Sequence, residues 1–242
     1  MKLTHKITTL SFALAMVGVT FFSPGCKKSC TAPAITSSAA SSVTNSSYDF
    51  TANVTEIDDQ SLISMTLNGA SVPFTYNTSS HELKATITLA AGANNIVITA
   101  KGCETKTGNF SITYDSPTMR LTGKNFKLTA FTVNPAIPPF GSDIYNQIPS
   151  CSQDNLSKFN ANFTITNDEG ATKCNSADPQ TTSGGTWAWN TNETILTVTD
   201  PDPTVGSISI TILTNDGTTL KGTVSEVINS VNYTYTYTFT KQ

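Results

Sequence analysis

Residues 231–240 read Val-Asn-Tyr-Thr-Tyr-Thr-Tyr-Thr-Phe-Thr, a stretch in which aromatic and hydroxyl side chains alternate. Successive side chains of a β-strand point to opposite faces, so this stretch predicts a strand with its rings on one face. Similar alternation recurs along the chain in short runs, separated by glycine, asparagine, aspartate and proline. Because helical periodicity is nearly absent, the sequence predicts an all-β protein.

The first half of the chain predicts a β-sandwich. Residues 63–67 alternate and are followed by Asn68-Gly69, a dipeptide typical of tight hairpin turns. Apolar residues also alternate over residues 83–89 and 110–114. Strands that follow one another every 8 to 12 residues or so are typical of two packed sheets. We therefore expect a sandwich over residues 31–115.

Two motifs in this half resemble the bacterial Ig-like modules of secreted proteins. They are Leu67-Asn68-Gly69 and the segment from Leu89 to Ala100. In those modules an L-x-x-G-x-N turn leads into a strand of the pattern I-x-V-x-A. The resemblance covers roughly residues 31–115, and it implies a spacer or an adhesion scaffold instead of a reaction.

A new apolar pattern begins after Asp115-Ser116-Pro117, which we interpret as a domain boundary because proline cannot continue a central strand. The next stretch reads as one long strand from residue 121, with Phe126, Leu128 and Ala130 on one face. A helical turn is expected over residues 143–148. Further strands are expected over residues 194–199, 206–213, 218–227 and 231–240.

Motifs between residues 119 and 242 resemble the lipocalin-like domain of many bacterial lipoproteins. They are Leu121-Thr122-Gly123, Leu128-Thr129-Ala130, Cys151-x-x-Asp154, Phe159-Asn160-Ala161-Asn162, Cys174, Gly185-Thr186-Trp187 and the aromatic C-terminal strand. The family usually has tryptophan in the first strand where this chain has Phe126. The resemblance implies a small up-and-down antiparallel β-barrel or cupped sheet, and some relatives hold small apolar ligands.

Aromatic side chains are the candidates for binding a ligand in such a barrel. Four rings share one face of the last strand, and two tryptophans share a face of an earlier one. The candidates are Trp187, Trp189, Tyr233, Tyr235, Tyr237 and Phe239. An eight-stranded barrel is just wide enough for side chains either to fill it or to wall a pocket, so both outcomes stay open.

The N terminus predicts an export signal that ends at a cysteine. The apolar stretch at residues 7–22 is too short to span a bilayer comfortably, so residues 1–25 read as a signal peptide. Residues 23–26 resemble the lipobox of bacterial lipoproteins, although Ser23 stands where leucine is usual. The resemblance implies that lipid on Cys26 anchors the protein to the bacterial outer membrane, on its periplasmic or its external face. The alternative is an ordinary cleaved signal, with Cys26 free or disulfide-bonded.

Export would place the other cysteines in an oxidising compartment. If Cys26 carries lipid, four of the five cysteines are left, and we expect the pairs Cys30–Cys103 and Cys151–Cys174. A zinc site is the alternative, but the chain has no C-x-x-C pair and would keep one histidine after signal cleavage. We expect no metal and no cofactor.

Charge and motifs exclude several classes of function. Loss of Lys2 and Lys6 with the signal leaves 12 basic and 17 acidic residues, a net charge of −5, without the basic patch that a nucleic-acid partner requires. His81 accompanies no nucleophile motif and reads as a turn residue. The acidic groups at residues 58–59, 168–169 and 200–202 also fall at turns, where aspartate is favoured.

The sequence therefore favours a non-catalytic envelope protein that binds a small apolar or amphipathic ligand. The alternative is an accessory protein that recognises another envelope protein or a glycan through exposed loops. A glycosidase is a third hypothesis, and it would need two carboxylates facing each other in a cleft.

Overall fold

The structure is a computed structural model that describes residues 30–242. The predicted signal peptide and Cys26 lie outside the described residues. Ala32–Gln242 forms one compact unit, and its secondary structure is almost entirely β. Among the described residues, no helix is both long and apolar enough to cross a membrane.

Residues 35–114 form two sheets that share one hydrophobic core. In chain order the strands are β1 (Ile35–Thr36), β2 (Ser42–Val43), β3 (Ser47–Val54), β4 (Ile63–Leu67), β5 (Ala70–Ser71), β6 (Thr75–Asn77), β7 (Glu82–Thr88), β8 (Gly92–Lys101) and β9 (Thr105–Tyr114). One sheet has the order β1-β3-β7-β6 and the other β2-β9-β8-β4-β5. The pair β2–β9 is parallel, and the other pairs are antiparallel. The predicted sandwich is confirmed.

Strict alternation builds the sandwich core. Leu83, Ala85 and Ile87 of β7 are buried while the residues between them are exposed. Burial of apolar side chains stabilises the fold by roughly 25 cal/mol for each Å² removed from water. Asn68 and Gly69 both have positive φ, 50° and 85°, as the tight turn between β4 and β5 requires.

Residues 125–241 form a closed antiparallel barrel. Its strands are β10 (Asn125–Ile137), β12 (Leu156–Phe159), β13 (Thr164–Asp168), β14 (Thr181–Trp189), β15 (Ile195–Thr199), β16 (Ser207–Asn215), β17 (Thr219–Ile228) and β18 (Val231–Lys241), with β11 (Gly141–Asp143) as a hairpin partner of β10. Each strand pairs with the next, and β18 pairs back with β10. These eight strands of the described chain confirm the predicted barrel.

A short helix closes one end of the barrel. This helix, α1, spans Pro117–Leu121; Ser116 caps it by accepting a hydrogen bond from the Met119 amide at 3.2 Å. Leu121 is fully buried in the core of the barrel. The strand predicted from residue 121 is therefore wrong at its start, since β10 begins at Asn125. The serine cap and the proline in the first turn are signals that could have revealed the helix.

The register of β10 also departs from strict alternation. A bulge lies between Leu128, which pairs with Phe239, and Ala130, which pairs with Thr238. Paired residues in a sheet share a face, so Ala130 lies on the threonine face and Phe131, paired with Tyr237, lies on the aromatic face. The expected grouping of Ala130 with Phe126 and Leu128 is wrong for this reason.

Polar contacts join the sandwich to the end of the barrel that α1 closes. Tyr114 at the end of β9 donates a hydrogen bond from its hydroxyl to Glu193 at 3.3 Å, and Thr118 of α1 donates to the other oxygen of Glu193 at 3.4 Å. Burial, followed by the negative charge of Glu193, raises the pKa of Tyr114, so its hydroxyl stays a donor. The division into domains at residues 115 and 119 stays a prediction.

The described cysteines are oxidised. Cys151 and Cys174 form the expected disulfide, with their Cα atoms 5.1 Å apart. Cys30 and Cys103 are also disulfide-bonded. Disulfides are typical of exported proteins in oxidising compartments, which agrees with the predicted export.

Candidate functional site

The barrel has a closed end and an open end. The closed end holds α1 and a cluster of buried residues: Leu121, Phe126, Phe159, Ile165, Trp187, Leu196 and Leu220. The open end holds the connections β10–β12, β13–β14, β15–β16 and β17–β18, because consecutive connections of an up-and-down barrel alternate between its ends. The candidate residues from the sequence divide between these two ends.

Trp187, Trp189 and Phe239 belong to the closed end. Trp187 is 2% exposed, and its ring centroid lies 6.0 Å from that of Phe159 and 6.4 Å from that of Trp189. Its indole nitrogen donates to the Asn160 carbonyl at 3.2 Å. Phe239 packs partly buried against the same cluster. These three candidates fill the base of the barrel.

Tyr233, Tyr235 and Tyr237 continue the same face of β18 towards the open end. Tyr237 stacks on Phe131, with centroids 4.5 Å apart and planes inclined by 16°. Tyr235 lies 6.0 Å from Phe131 in a tilted arrangement. We call Phe131, Tyr233, Tyr235 and Tyr237 the aromatic wall. It consists of half-buried rings, in contrast to the buried cluster below it.

Phe131 was not among the candidates from the sequence, because strict alternation along β10 places it on the outer face of the barrel. The bulge that moves it inward leaves no signal in residues 128–131. The same shift carries Val133, which is 2% exposed and pairs with Tyr235, to the inner face.

Glu226 was also missed, and it shares the inner face with the aromatic wall. It pairs with Tyr233 across β17 and β18. Burial raises the pKa of Tyr237, and the neighbouring Tyr235 and the negative charge of Glu226 raise it further. Tyr237 therefore keeps its proton at neutral pH and can donate a hydrogen bond.

Aspartates of the open-end loops accept hydrogen bonds from residues of these loops. Burial raises the pKa of Asp154, but hydrogen bonds from Thr172 and the Ala171 amide outweigh it and hold the pKa below its usual value. Asp168 accepts from Gln180 and the Gly170 amide, which lower its pKa, and Asp202 accepts likewise from Thr204. Asp168 and Asp202 have the turn roles that the sequence predicts, whereas Asp154 links the β10–β12 connection to the β13–β14 connection. Within residues 30–242 no group of histidine, cysteine or acidic residues is arranged to hold a metal.

His81 lies in the turn between β6 and β7 with φ of 58°. Its Nδ1 is 3.2 Å from the hydroxyl oxygen of Tyr76, which itself lies 2.7 Å from the Val54 carbonyl. The imidazole thus takes part in the packing of this turn, as the sequence predicts for a turn residue.

Four cavities of about 380 to 640 Å³ lie on the sandwich or at its junction with the barrel. The cavity of about 640 Å³ is lined by Phe50, Phe74 and Lys84, among others, and the junction cavity by Tyr114 and Glu193. Residues of the aromatic wall line none of these four.

Comparison with known proteins found no family model and no curated protein that matches this chain.

Proposed function

We propose that the chain is a non-catalytic envelope lipoprotein whose lipocalin-like barrel binds a small apolar or amphipathic molecule. The observation that carries this proposal is the stack of Phe131 on Tyr237, which stands above a packed base in the open half of the barrel. A barrel plugged at one end and lined by half-buried rings at the other has the form of a cup for a ligand.

The rings suit an amphipathic ligand in particular. An aromatic side chain offers a large apolar face, and a tyrosine adds a hydroxyl that can bond a polar group. Tyr237 supplies such a hydroxyl, whose raised pKa keeps it protonated. An apolar molecule would gain roughly 25 cal/mol for each Å² of its surface that the rings remove from water.

The sandwich supports the role of an Ig-like spacer. An immunoglobulin sandwich pairs strands A-B-E-D in one sheet and C, F and G in the other. If β1 is A and β3 is B, the observed order β1-β3-β7-β6 corresponds to A-B-E-D, and β9-β8-β4 corresponds to G-F-C. We propose that this module holds the barrel away from the membrane to which the lipid on Cys26 attaches.

Native mass spectrometry of the segment 30–242, exported and purified from its host, tests whether the barrel carries a small molecule. The segment contains the compact unit Ala32–Gln242 with both hydrophobic clusters. We expect a co-purifying small molecule, retained by the Phe140→Ala variant and lost from Phe131→Ala. Phe140 is the matched control because it is 56% exposed outside the wall. Equal retention by both variants, or no bound molecule, contradicts the proposal.

Recognition of an envelope protein or glycan by the loops is the second candidate function. One observation favours it: the exposed ring of Phe140 lies in the loop between β10 and β11. Exposed aromatic side chains are typical of binding surfaces. In a pull-down from envelope extracts, this candidate predicts that Phe140→Ala loses a partner that Phe131→Ala retains.

A further inference from the structure

The two ends of the barrel differ strongly in charge. The open-end connections, residues 138–155, 167–182, 199–207 and 226–232, contain eight acidic residues and one lysine. The closed-end segments, residues 115–125, 160–164, 189–195, 214–219 and 240–242, contain three of each sign. The open end therefore has a net charge of −7 and the closed end a net charge of zero.

Cations of the protein do not neutralise this charge. The ion pairs among residues 30–242 are Lys84–Glu82, Lys106–Glu104 and Arg120–Asp115, which all lie outside the open-end connections. Amides and hydroxyls bond the open-end carboxylates instead, and such neutral donors favour the ionised form. The mouth of the barrel thus stays negative at neutral pH.

Apolar side chains are exposed at the same end. Among the described residues, three exposed large hydrophobic side chains share the inner face at this end and are 37% to 41% exposed: Ile208, which pairs with Val198, and Ile228, which pairs with Val231. The mouth therefore combines negative charge with apolar contact area.

Glu226 brings the negative charge to the aromatic wall. It lies on the inner face of β17, directly opposite Tyr233. Its charge is close enough to act on the phenol of Tyr237, two residues further along β18. A carboxylate beside aromatic faces attracts an organic cation in two ways, by its charge and by cation–π contact with the rings.

We propose that the open end binds an organic cation with an apolar body, the positive group near Glu226 and the apolar body against the aromatic wall. This inference rests on the proposed function and adds the sign of the ligand's charge. A negative mouth with low-dielectric walls concentrates cations and repels anions of the same shape. An alkyl carboxylate of equal length is therefore disfavoured.

Calorimetric titration of the segment 30–242 with matched alkyl probes tests the charge. The probes are decyltrimethylammonium, decanoate and 1-decanol, each kept below its aggregation or solubility limit at low ionic strength. We expect decyltrimethylammonium to bind about tenfold more tightly than decanoate, and the ratio to shrink at high salt. Equal affinities for the cation and the anion overturn the inference and leave the proposed function standing. Binding of none of the three probes contradicts both.

Two glutamate variants locate the cation. Glu226→Gln should lower the affinity for decyltrimethylammonium about tenfold and leave that for 1-decanol unchanged. Glu104→Gln removes the same charge from an exposed site on the sandwich and should change neither. An equal effect of the two variants overturns the placement at Glu226. Circular dichroism of each variant confirms that it is folded.

Discussion

At the residue scale, single buried polar groups explain motifs that periodicity leaves unexplained. Asn94 ends the L-x-x-G-x-N motif and is fully buried. Its side chain accepts from the Ala90 amide at 2.9 Å and donates to the Ala90 and Gly92 carbonyls at 2.7 and 2.9 Å. The motif could be seen in the sequence, but the partners of Asn94 could not, because they depend on how the turn folds back.

Asn94→Ala should lower the free energy of unfolding by about 3 kcal/mol, since it removes a buried side chain together with its three hydrogen bonds to the backbone of Ala90 and Gly92. Asn95→Ala is the matched control, because Asn95 is adjacent and exposed, and it should change stability by less than about 0.5 kcal/mol. Urea denaturation of both variants measures the difference. Equal stabilities would show that Asn94 does not hold the turn.

Asp216 makes the turn between β16 and β17 sensitive to acid. Hydrogen bonds from the Thr218 hydroxyl and the Thr219 and Thr218 amides lower its pKa from 3.8 to about 2. A depressed folded pKa gives stability that is present above the unfolded value and lost as the pH falls. As the pH falls from about 4 to about 2, the melting temperature of Asp216→Asn should therefore fall less than that of the parent chain. Parallel loss in thermal melts across that range would contradict this assignment.

At the element scale, alternation predicts most strands well and fails where a strand is irregular. The strands β15 to β18 agree with expectation within two residues at each end. The helical turn expected over residues 143–148 is present as a 3₁₀ turn at Tyr145–Gln147. The bulge in β10 could not be predicted, because it depends on pairing with β18 more than a hundred residues later. As a result, three of the four rings of the aromatic wall were candidates from the sequence, and Phe131 was not.

Because of the bulge in β10, substitutions at two adjacent positions should differ in their effect on stability. Phe131→Ala should lower the free energy of unfolding by about 2 kcal/mol, because it removes a half-buried ring that stacks on Tyr237. Ala130→Leu should change the free energy of unfolding by less than about 0.5 kcal/mol, because Ala130 lies on the outer face with the threonines. Urea denaturation measures both. A large loss for Ala130→Leu alone would restore the strict alternation that the sequence suggests.

At the scale of the whole molecule, alternation predicts a sandwich and the resemblance to a lipocalin-like domain implies a barrel after it, and both are present. The way the two bodies join could not be predicted, because it depends on a few polar side chains far apart in the chain. Asn215 of β16 donates to the Pro117 carbonyl at 2.9 Å, and Glu193 accepts from Tyr114 and Thr118. The negative charge of the open end likewise could not be predicted, because it depends on which connections the strand order brings to that end.

Glu193→Ala should loosen the junction between sandwich and barrel, because it removes both acceptors that Tyr114 and Thr118 use. We expect the rotational correlation times of the two bodies to diverge in ¹⁵N relaxation, with little change in the melting temperature. Asn192→Ala, in the same turn, is the control and should leave the correlation times equal. Equal times in both variants would show that other contacts hold the junction.

Nuclear Overhauser effects between a bound alkyl ligand and the aromatic protons of the segment 30–242 would show directly whether the ligand lies on the aromatic wall. We expect contacts from the alkyl chain to the rings of Phe131, Tyr235 and Tyr237. Contacts to Phe74 and Phe50 on the sandwich instead, with none to the barrel, would contradict it.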